Sequence, residues 1–197
     1  VTGDDFDYSK YNAYVDWEQI GKSGYQSDIW DPDDINNELD KMVFVKNTGD
    51  NSTYVRVFFA FEAGNYTSFT RFKDMVHINL NDAASEWAWE WNPALATSTN
   101  GGKYFIATAT YLPILKSGEF TTISLSQIAL DPTATNEHVA AFGDTYEVFV
   151  NAQGIQSAGF TDPDTALDEG FGTDMEIYAP AFCEAKGFEY KATFDPK

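Results

Sequence analysis

The sequence predicts an all-β protein, a jelly-roll-like β-sandwich built as a single domain with long connecting loops. Residues 41–62 alternate with a period of two: Val43 and Val45 interleave with Phe44 and Lys46, and Val55, Val57, Phe59 and Phe61 with Tyr54, Arg56, Phe58 and Ala60. Alternation of β-branched and aromatic residues is a strand signal. Similar stretches recur along the chain, separated by Gly, Pro, Asn and Asp clusters. Many short strands with such turns point to a sandwich or barrel rather than a βαβ sheet.

Taken in order, residues 1–12 form an acidic N-terminal arm and 13–197 the sandwich. YNAYVDWEQI (11–20) is a plausible first strand, with Val15 and Trp17 on one face. Residues 21–40 are a polar connection. The stretch 41–62 reads as a hairpin, strands 41–47 and 53–62 flanking the turn residues Asn47, Thr48, Gly49, Asp50 and Asn51. Glycine supplies positive φ there, and Asn and Asp bond the local backbone. FTRFKDMVHINL (69–80) fits a short helix or a strand. EWAWEW (86–91) alternates as a half-buried strand, and part of 63–102 reads as an insert on the sandwich. KYFIATATYLPIL (103–115) gives a strand over 103–112, stopped by Pro113. EFTTISLSQIAL contributes a strand at 119–128, 131–142 reads as a loop, and 144–153 is the last strong strand. An acidic loop at 162–170 precedes two short β-like pieces.

The composition narrows the functional classes. The chain has 197 residues, with 31 acidic against 12 basic side chains and a formal net charge of -19. That field repels nucleic acid and anionic lipid, while it could attract divalent cations. An acidic halophilic surface is a competing reading of the same charge. The single cysteine, Cys183, excludes an intramolecular disulfide and reads as a buried small hydrophobe. No apolar run reaches the ~18 residues of a membrane span, so no membrane insertion is expected. No signal peptide is read, and the start at Val1 fits a processed mature form or a recombinant one.

Three segments, in order, resemble the TasA/camelysin family and its wider relatives exported through SipW-type signal peptidases. VKNTGD (45–50) followed by YVRV (54–57) resembles that family's first strand–turn–strand motif. ILKSGEFTT (114–122) resembles its "L-x-P-G-E-x-T" element, with Ser117 where proline is usual. YEVFVNAQGIQSAGF (146–160) resembles its penultimate strand, with Asn151 and Gly154 as departures. Together with the first strand the likeness spans roughly 11–172.

The resemblance implies a jelly-roll-like sandwich. It also implies a secreted structural subunit that polymerises into extracellular filaments or biofilm-matrix fibres by donor-strand exchange. The partner is then the chain itself, head to tail, alongside other matrix or surface components, and the location is the cell surface or matrix. An open sheet edge is a row of unpaired N–H and C=O groups, which an incoming strand satisfies. The candidate donor is the arm, whose large apolar residues are Phe6, Tyr8 and Tyr11. A disordered acidic terminus is the other reading of the arm. The alternative function is a monomeric cell-surface adhesin or carbohydrate-binding module that uses Trp87, Trp89 and Trp91 as a platform. A core strand explains the same three residues.

Camelysin-like members are described as metalloproteases, so enzyme chemistry must be weighed. His77 and His138 stand far apart in the sequence and belong to no zinc motif. G-x-S-x-G is absent and Cys183 lacks a nucleophile motif. The expectation is a non-enzyme with no catalytic residues and no certain cofactor. Acidic clusters at Asp31, Asp33 and Asp34, and at Asp162, Asp164, Asp168 and Glu169, supply carboxylates at short spacing, so calcium is a candidate cofactor for the second cluster. A solvated acidic loop is the plainer reading. Asn51 and Asn65 open N-x-[ST] sequons and are candidate glycosylation sites.

Overall fold

The computed structural model of the chain describes residues 38–98, 102–142, 146–172 and 188–189. In chain order these hold β1 (Glu38–Val43), β2 (Thr53–Glu62), α1 (Phe69–Met75), β3 (Val76–Leu80), β4 (Trp87–Ser98) and β5 (Lys103–Leu115). They continue with β6 (Leu125–Leu130), α2 (Asn136–Ala140), β7 (Val148–Gln156), α3 (Pro163–Phe171) and β8 (Phe188–Glu189). The strands form two antiparallel sheets, ordered β1-β6-β3 and β7-β2-β5-β4-β8, which pack together as an all-β sandwich.

The core follows from residue size along β5, the middle strand of the larger sheet. Its inward side chains are Phe105, Ala107, Ala109 and Tyr111, all buried. On one side Ala107 pairs with Phe59 and Ala109 with Val57; on the other they pair with Trp91 and Trp89. Strands two apart lie ~10 Å from each other, so their side chains meet only over small residues on the strand between. The alanines leave that room. Phe59 reaches Trp89 at a ring separation of 5.1 Å, and Phe61 reaches Trp91 at 5.3 Å. Leu125 and Ile128 of β6 and Val76 of β3 close the other side of the same core. α1 is packed on its end, Phe72 against Phe105 at 4.9 Å and Phe69 against Trp91 at 5.2 Å. The Ser68 hydroxyl caps α1 by accepting from the Arg71 N–H.

Several elements differ from the sequence expectation. Residues 41–62 do not form a hairpin: β1 pairs with β6, whereas β2 pairs with β5 and β7. The turn between them carries the chain from the smaller sheet to the larger. Asn47, buried at 8% exposure, fixes this crossing. Its Nδ2 donates to the carbonyls of Asn51 (2.8 Å) and Leu115 (3.0 Å), and its Oδ1 accepts from the Gly49 N–H (3.0 Å). Its main chain exchanges bonds with the turn at 116–119, donating to the Glu119 carbonyl and accepting from the Gly118 N–H. Gly118 has φ 77°, the left-handed region that glycine adopts without strain.

β5 passes through Pro113 instead of stopping there. Thr53 pairs with Leu115 and Val55 with Tyr111, so β5 holds two extra residues opposite this stretch of β2. Pro113 is exposed on that bulge, where a missing ladder N–H costs nothing. The expected strand at 119–128 is an isolated bridge between Lys46 and Phe120 followed by β6, and the expected strand at 144–153 lies at 148–156. The expected loop at 131–142 contains α2, and the expected acidic loop at 162–170 is α3. Asp162 caps α3 and Pro163 opens it, a helix start legible as Asp followed by Pro. Residues 63–98 are no insert, since β3 and β4 belong to the two sheets. The expected first strand at 11–20 and the connection at 21–37 lie outside the described residues.

The alanine layer yields a test. Ala107→Leu adds apolar volume where the Phe59 and Trp91 side chains flank β5, and overpacking of this kind costs about 1–3 kcal/mol. Urea unfolding should show a lower midpoint despite the more hydrophobic side chain, and an unchanged midpoint would mean that the layer has spare room.

Candidate functional site

The three segments that carry the family resemblance meet at one end of the sandwich. Asn47 ties the first to the second, as described above. The third is tied to the first at Thr53, whose hydroxyl donates to the Ile155 carbonyl at 2.6 Å, and at Ser52, whose carbonyl accepts from the N–H and hydroxyl of Ser157. Sequence distance between the segments is long; in the fold they form one junction.

Arg56 stands beside this junction and was not singled out by sequence reasoning. It is 5% exposed on the outward face of β2. Its Nε and Nη2 both donate to Gln153 Oε1 of β7, each at 3.1 Å, and its Nη1 reaches Asp168 Oδ1 of α3 at 3.4 Å. One guanidinium thus ties two strands and a helix. Above it Tyr54 packs with Ala166 and Leu167 of α3 and with Ile155 and Phe160. The available signal was a cation inside an unbroken strand pattern, because a buried charge requires partners.

β7 presents the most unusual surface. Its nine residues, VFVNAQGIQ, contain no charged side chain in a chain of net charge -19. It pairs with β2 without any register shift from Thr53–Gln156 to Phe61–Val148. Glu147 and Ser157 direct main-chain groups to β2. By the alternation of an antiparallel ladder, Val148, Val150, Ala152, Gly154 and Gln156 direct theirs away from it. Among the described residues no strand pairs with that outer side. Asn151, Ala152, Gly154 and Gln156 are exposed, and the Ala152 N–H is met by the Asn151 side chain at 3.0 Å.

The other strands at sheet borders differ. β1 carries Glu38, Asp40 and Lys41 and shifts register between Asp40 and Val43. β3 is five residues long and shifts between Asn79 and Leu80, and β8 has two residues. Charge, bulges and shortness are the usual protections of an edge, and β7 has none of them.

The remaining candidate residues are placed as follows. Asp162 accepts from the Thr165 N–H (2.8 Å) and the hydroxyls of Thr165 and Thr161, and the Thr165 N–H first of all holds its carboxyl below the usual range. Asp168 faces Arg56, while Asp164 and Glu169 are exposed. Among the described residues no three Asp, Glu, His or Cys side chains are gathered as metal ligands. His77 Nε2 lies 2.9 Å from Asp131 Oδ2, and the Thr133 hydroxyl, ahead of its N–H and His77, holds Asp131 down at about 2. His138 Nδ1 accepts from the Thr135 N–H in the first turn of α2. The two histidines therefore serve separate local structures.

Trp87 is 2% exposed and donates to the Thr122 hydroxyl, and Trp89 donates to the Asn81 carbonyl. All three indoles pack with the core cluster, Trp89 and Trp91 only partly buried. Asn51 and Asn65 are exposed in turns. Phe6, Tyr8 and Tyr11 of the expected donor arm, the cluster at Asp31, Asp33 and Asp34, and Cys183 lie outside the described residues. No known protein family, curated protein or solved structure matches the chain. No helix among the described residues is long and apolar enough to cross a membrane.

Three tyrosines resist ionisation. Burial pushes Tyr104 up to about 12, helped by its hydrogen bond to Glu147, and burial also raises Tyr66 and lifts Tyr146 well above its ordinary value. Unfolded tyrosines lose their protons near pH ~10. Above that pH the unfolded chain releases protons that the folded chain keeps, so stability is full below ~10 and falls as the pH climbs toward 12. Alkaline unfolding should begin in this window, and Tyr104→Phe should move its onset upward; a Tyr104→Phe onset unchanged from the parent would remove Tyr104 as a cause. The Tyr66 and Tyr146 hydroxyls are buried without a hydrogen-bond partner among the described residues. Since an unpaired buried hydroxyl costs ~1–3 kcal/mol, Tyr146→Phe should unfold at an equal or higher temperature in calorimetry.

Proposed function

We propose that this chain is a secreted structural subunit that polymerises head to tail into extracellular filaments or biofilm-matrix fibres, with β7 as the edge that accepts a strand from the next copy. The observation that carries the reading is the β7 edge: nine residues, uncharged and unbulged, in an otherwise strongly acidic chain. Edges left in that state pair with other chains unless they are protected. Support comes from the three-segment resemblance to the TasA/camelysin family. The passage of β1, β2, β3 and β4 alternately between the two sheets agrees with the jelly-roll-like path that the resemblance implies.

In this reading the donor is the arm at residues 1–12. Phe6 and Tyr8 share one face of an extended strand and enter the acceptor's apolar side, with Tyr11 beyond them. Donor and acceptor surfaces differ, so the contact is heterologous and need not close into a ring. A metal drawn to the acidic surface, calcium first, would weaken the repulsion between subunits.

The acceptor is tested by Gly154→Pro. The outward N–H at this position makes no ladder bond to β2, and a Cβ here meets only ordinary contacts with Thr53 and Tyr54. The variant should keep the parent's circular dichroism and lose filaments in negative-stain micrographs. Deleting residues 1–12 should do the same from the donor side. Added salt should speed assembly of the parent, because screening shortens the reach of its like charges. Filaments of unchanged subunit spacing from both variants would sink the proposal.

A further inference from the structure

We infer that Asn65 is an N-glycan acceptor whose first sugar lies in the groove between the 65–71 segment and α2. The reading is independent of β7 and of polymerisation. The chain has two sequons in its described part, Asn51-Ser52-Thr53 and Asn65-Tyr66-Thr67, and their surroundings separate them.

Asn51 is exposed, but the rest of its sequon is built into the β2–β7 junction. The Thr53 hydroxyl donates to the Ile155 and Tyr54 carbonyls, and the Ser52 carbonyl accepts twice from Ser157. The Asn51 carbonyl accepts from Asn47 Nδ2. A transferase that draws this sequon into its cleft must first open the junction. In the second sequon the Asn65 and Thr67 side chains are both exposed, and the hydrogen bond that holds this turn is from the Tyr66 N–H to the Ala63 carbonyl. Gly64, at φ 54°, turns the chain outward just ahead of Asn65.

The same asparagine stands on the rim of a groove of about 470 Å³, lined by Tyr66, Ser68, Arg71, Glu137 and His138. That volume falls within the ~300–1,000 Å³ of small-ligand clefts. The lining combines part of an aromatic ring with a guanidinium, a carboxylate, an imidazole and a hydroxyl. These groups suit a sugar's mixture of apolar C–H faces and hydroxyls. A sugar tethered at the rim occupies the groove at high effective concentration, so weak contacts suffice to seat it. The attachment is a group transfer from a lipid-linked glycosyl diphosphate. Asn65 Nδ2 forms a bond to the anomeric carbon as the bond from that carbon to the diphosphate oxygen breaks. The diphosphate leaves with the bonding pair, and the amide proton passes to a base of the transferase.

Trypsin separates the two sequons, because cleavage after Lys46, Arg56 and Arg71 yields peptides 47–56 and 57–71. In protein purified from its own cells, peptide 57–71 should carry added sugar mass at Asn65, and peptide 47–56 should be unmodified. Thr67→Val, expressed in the same cells, should lose the mass while retaining the asparagine. Hydrogen exchange on glycosylated and enzymatically deglycosylated protein then tests the seat. Removal of the sugar should speed exchange in α2 as well as around residue 65. Peptide 57–71 found only unmodified, or sugar on 47–56 instead, overturns the assignment of Asn65. Exchange in α2 that is indifferent to the sugar overturns the groove as its seat.

Discussion

The sandwich depends on the small inward residues of β5. Because Ala107 and Ala109 project so little, the rings of β2 and β4 meet above the middle strand, Phe59 with Trp89 and Phe61 with Trp91. Three strands are thereby fastened by side chains as well as by their ladders. The aromatic layer is also what α1 rests on, through Phe69 and Phe72. A large residue at either alanine would separate rings that now touch, and a small residue at 59 or 61 would leave a void beside them. Apolar burial on this scale, about 1.5–3 kcal/mol per large side chain, outweighs any single polar contact in the molecule.

A core of this kind fixes three strands but leaves the sheet's border to other devices. At the β7 end those devices are polar. Arg56 gathers Gln153 and Asp168, so β7 and α3 are held to β2 from the outer face. Asn47, Thr53 and Ser157 hold the ends of the strands. The result is an edge strand tied to β2 and α3 while its outward main chain has no strand partner among the described residues. Such ties matter for any partner strand, since an edge that has to be ordered on binding spends part of the gain on that ordering.

Much of this was legible in the chain, and the limits have physical causes. Alternation located β2 with its observed bounds and assigned Val55, Val57, Phe59 and Phe61 to one face, because a period of two reports faces directly. It reports nothing about partners. The 47–51 turn has residues that suit a hairpin equally well, and the crossing between sheets is decided by long-range bonds from Asn47 to Leu115 and Glu119. The acidic residues of 162–170 suggest a loop and mask the nine-residue helix α3, although Asp162 and Pro163 mark its start. β7 was recognised as a strand, but its position at the border of a sheet comes from the tertiary fold. Arg56 is visible only as a cation within a strand pattern, and its burial comes from Gln153 and Asp168, which lie far away in sequence. The acidic cluster was legible as charge alone; whether such residues converge depends on where α3 directs them.

The contrast between β7 and the rest of the chain has an electrostatic consequence. Paired strands lie ~4.8 Å apart, well inside the ~8 Å screening length of physiological salt. Two like charges at about that separation repel by roughly 1 kcal/mol even in bulk water. A hydrogen bond between strands contributes a net ~0.5–1.5 kcal/mol, so each pair of opposed carboxylates offsets about one such bond. With 31 acidic side chains against 12 basic ones, most approaches between two copies incur that repulsion. An approach along β7 meets no charge on the strand itself. The acidic composition disfavours association between copies, and β7 adds no charge of its own to that repulsion.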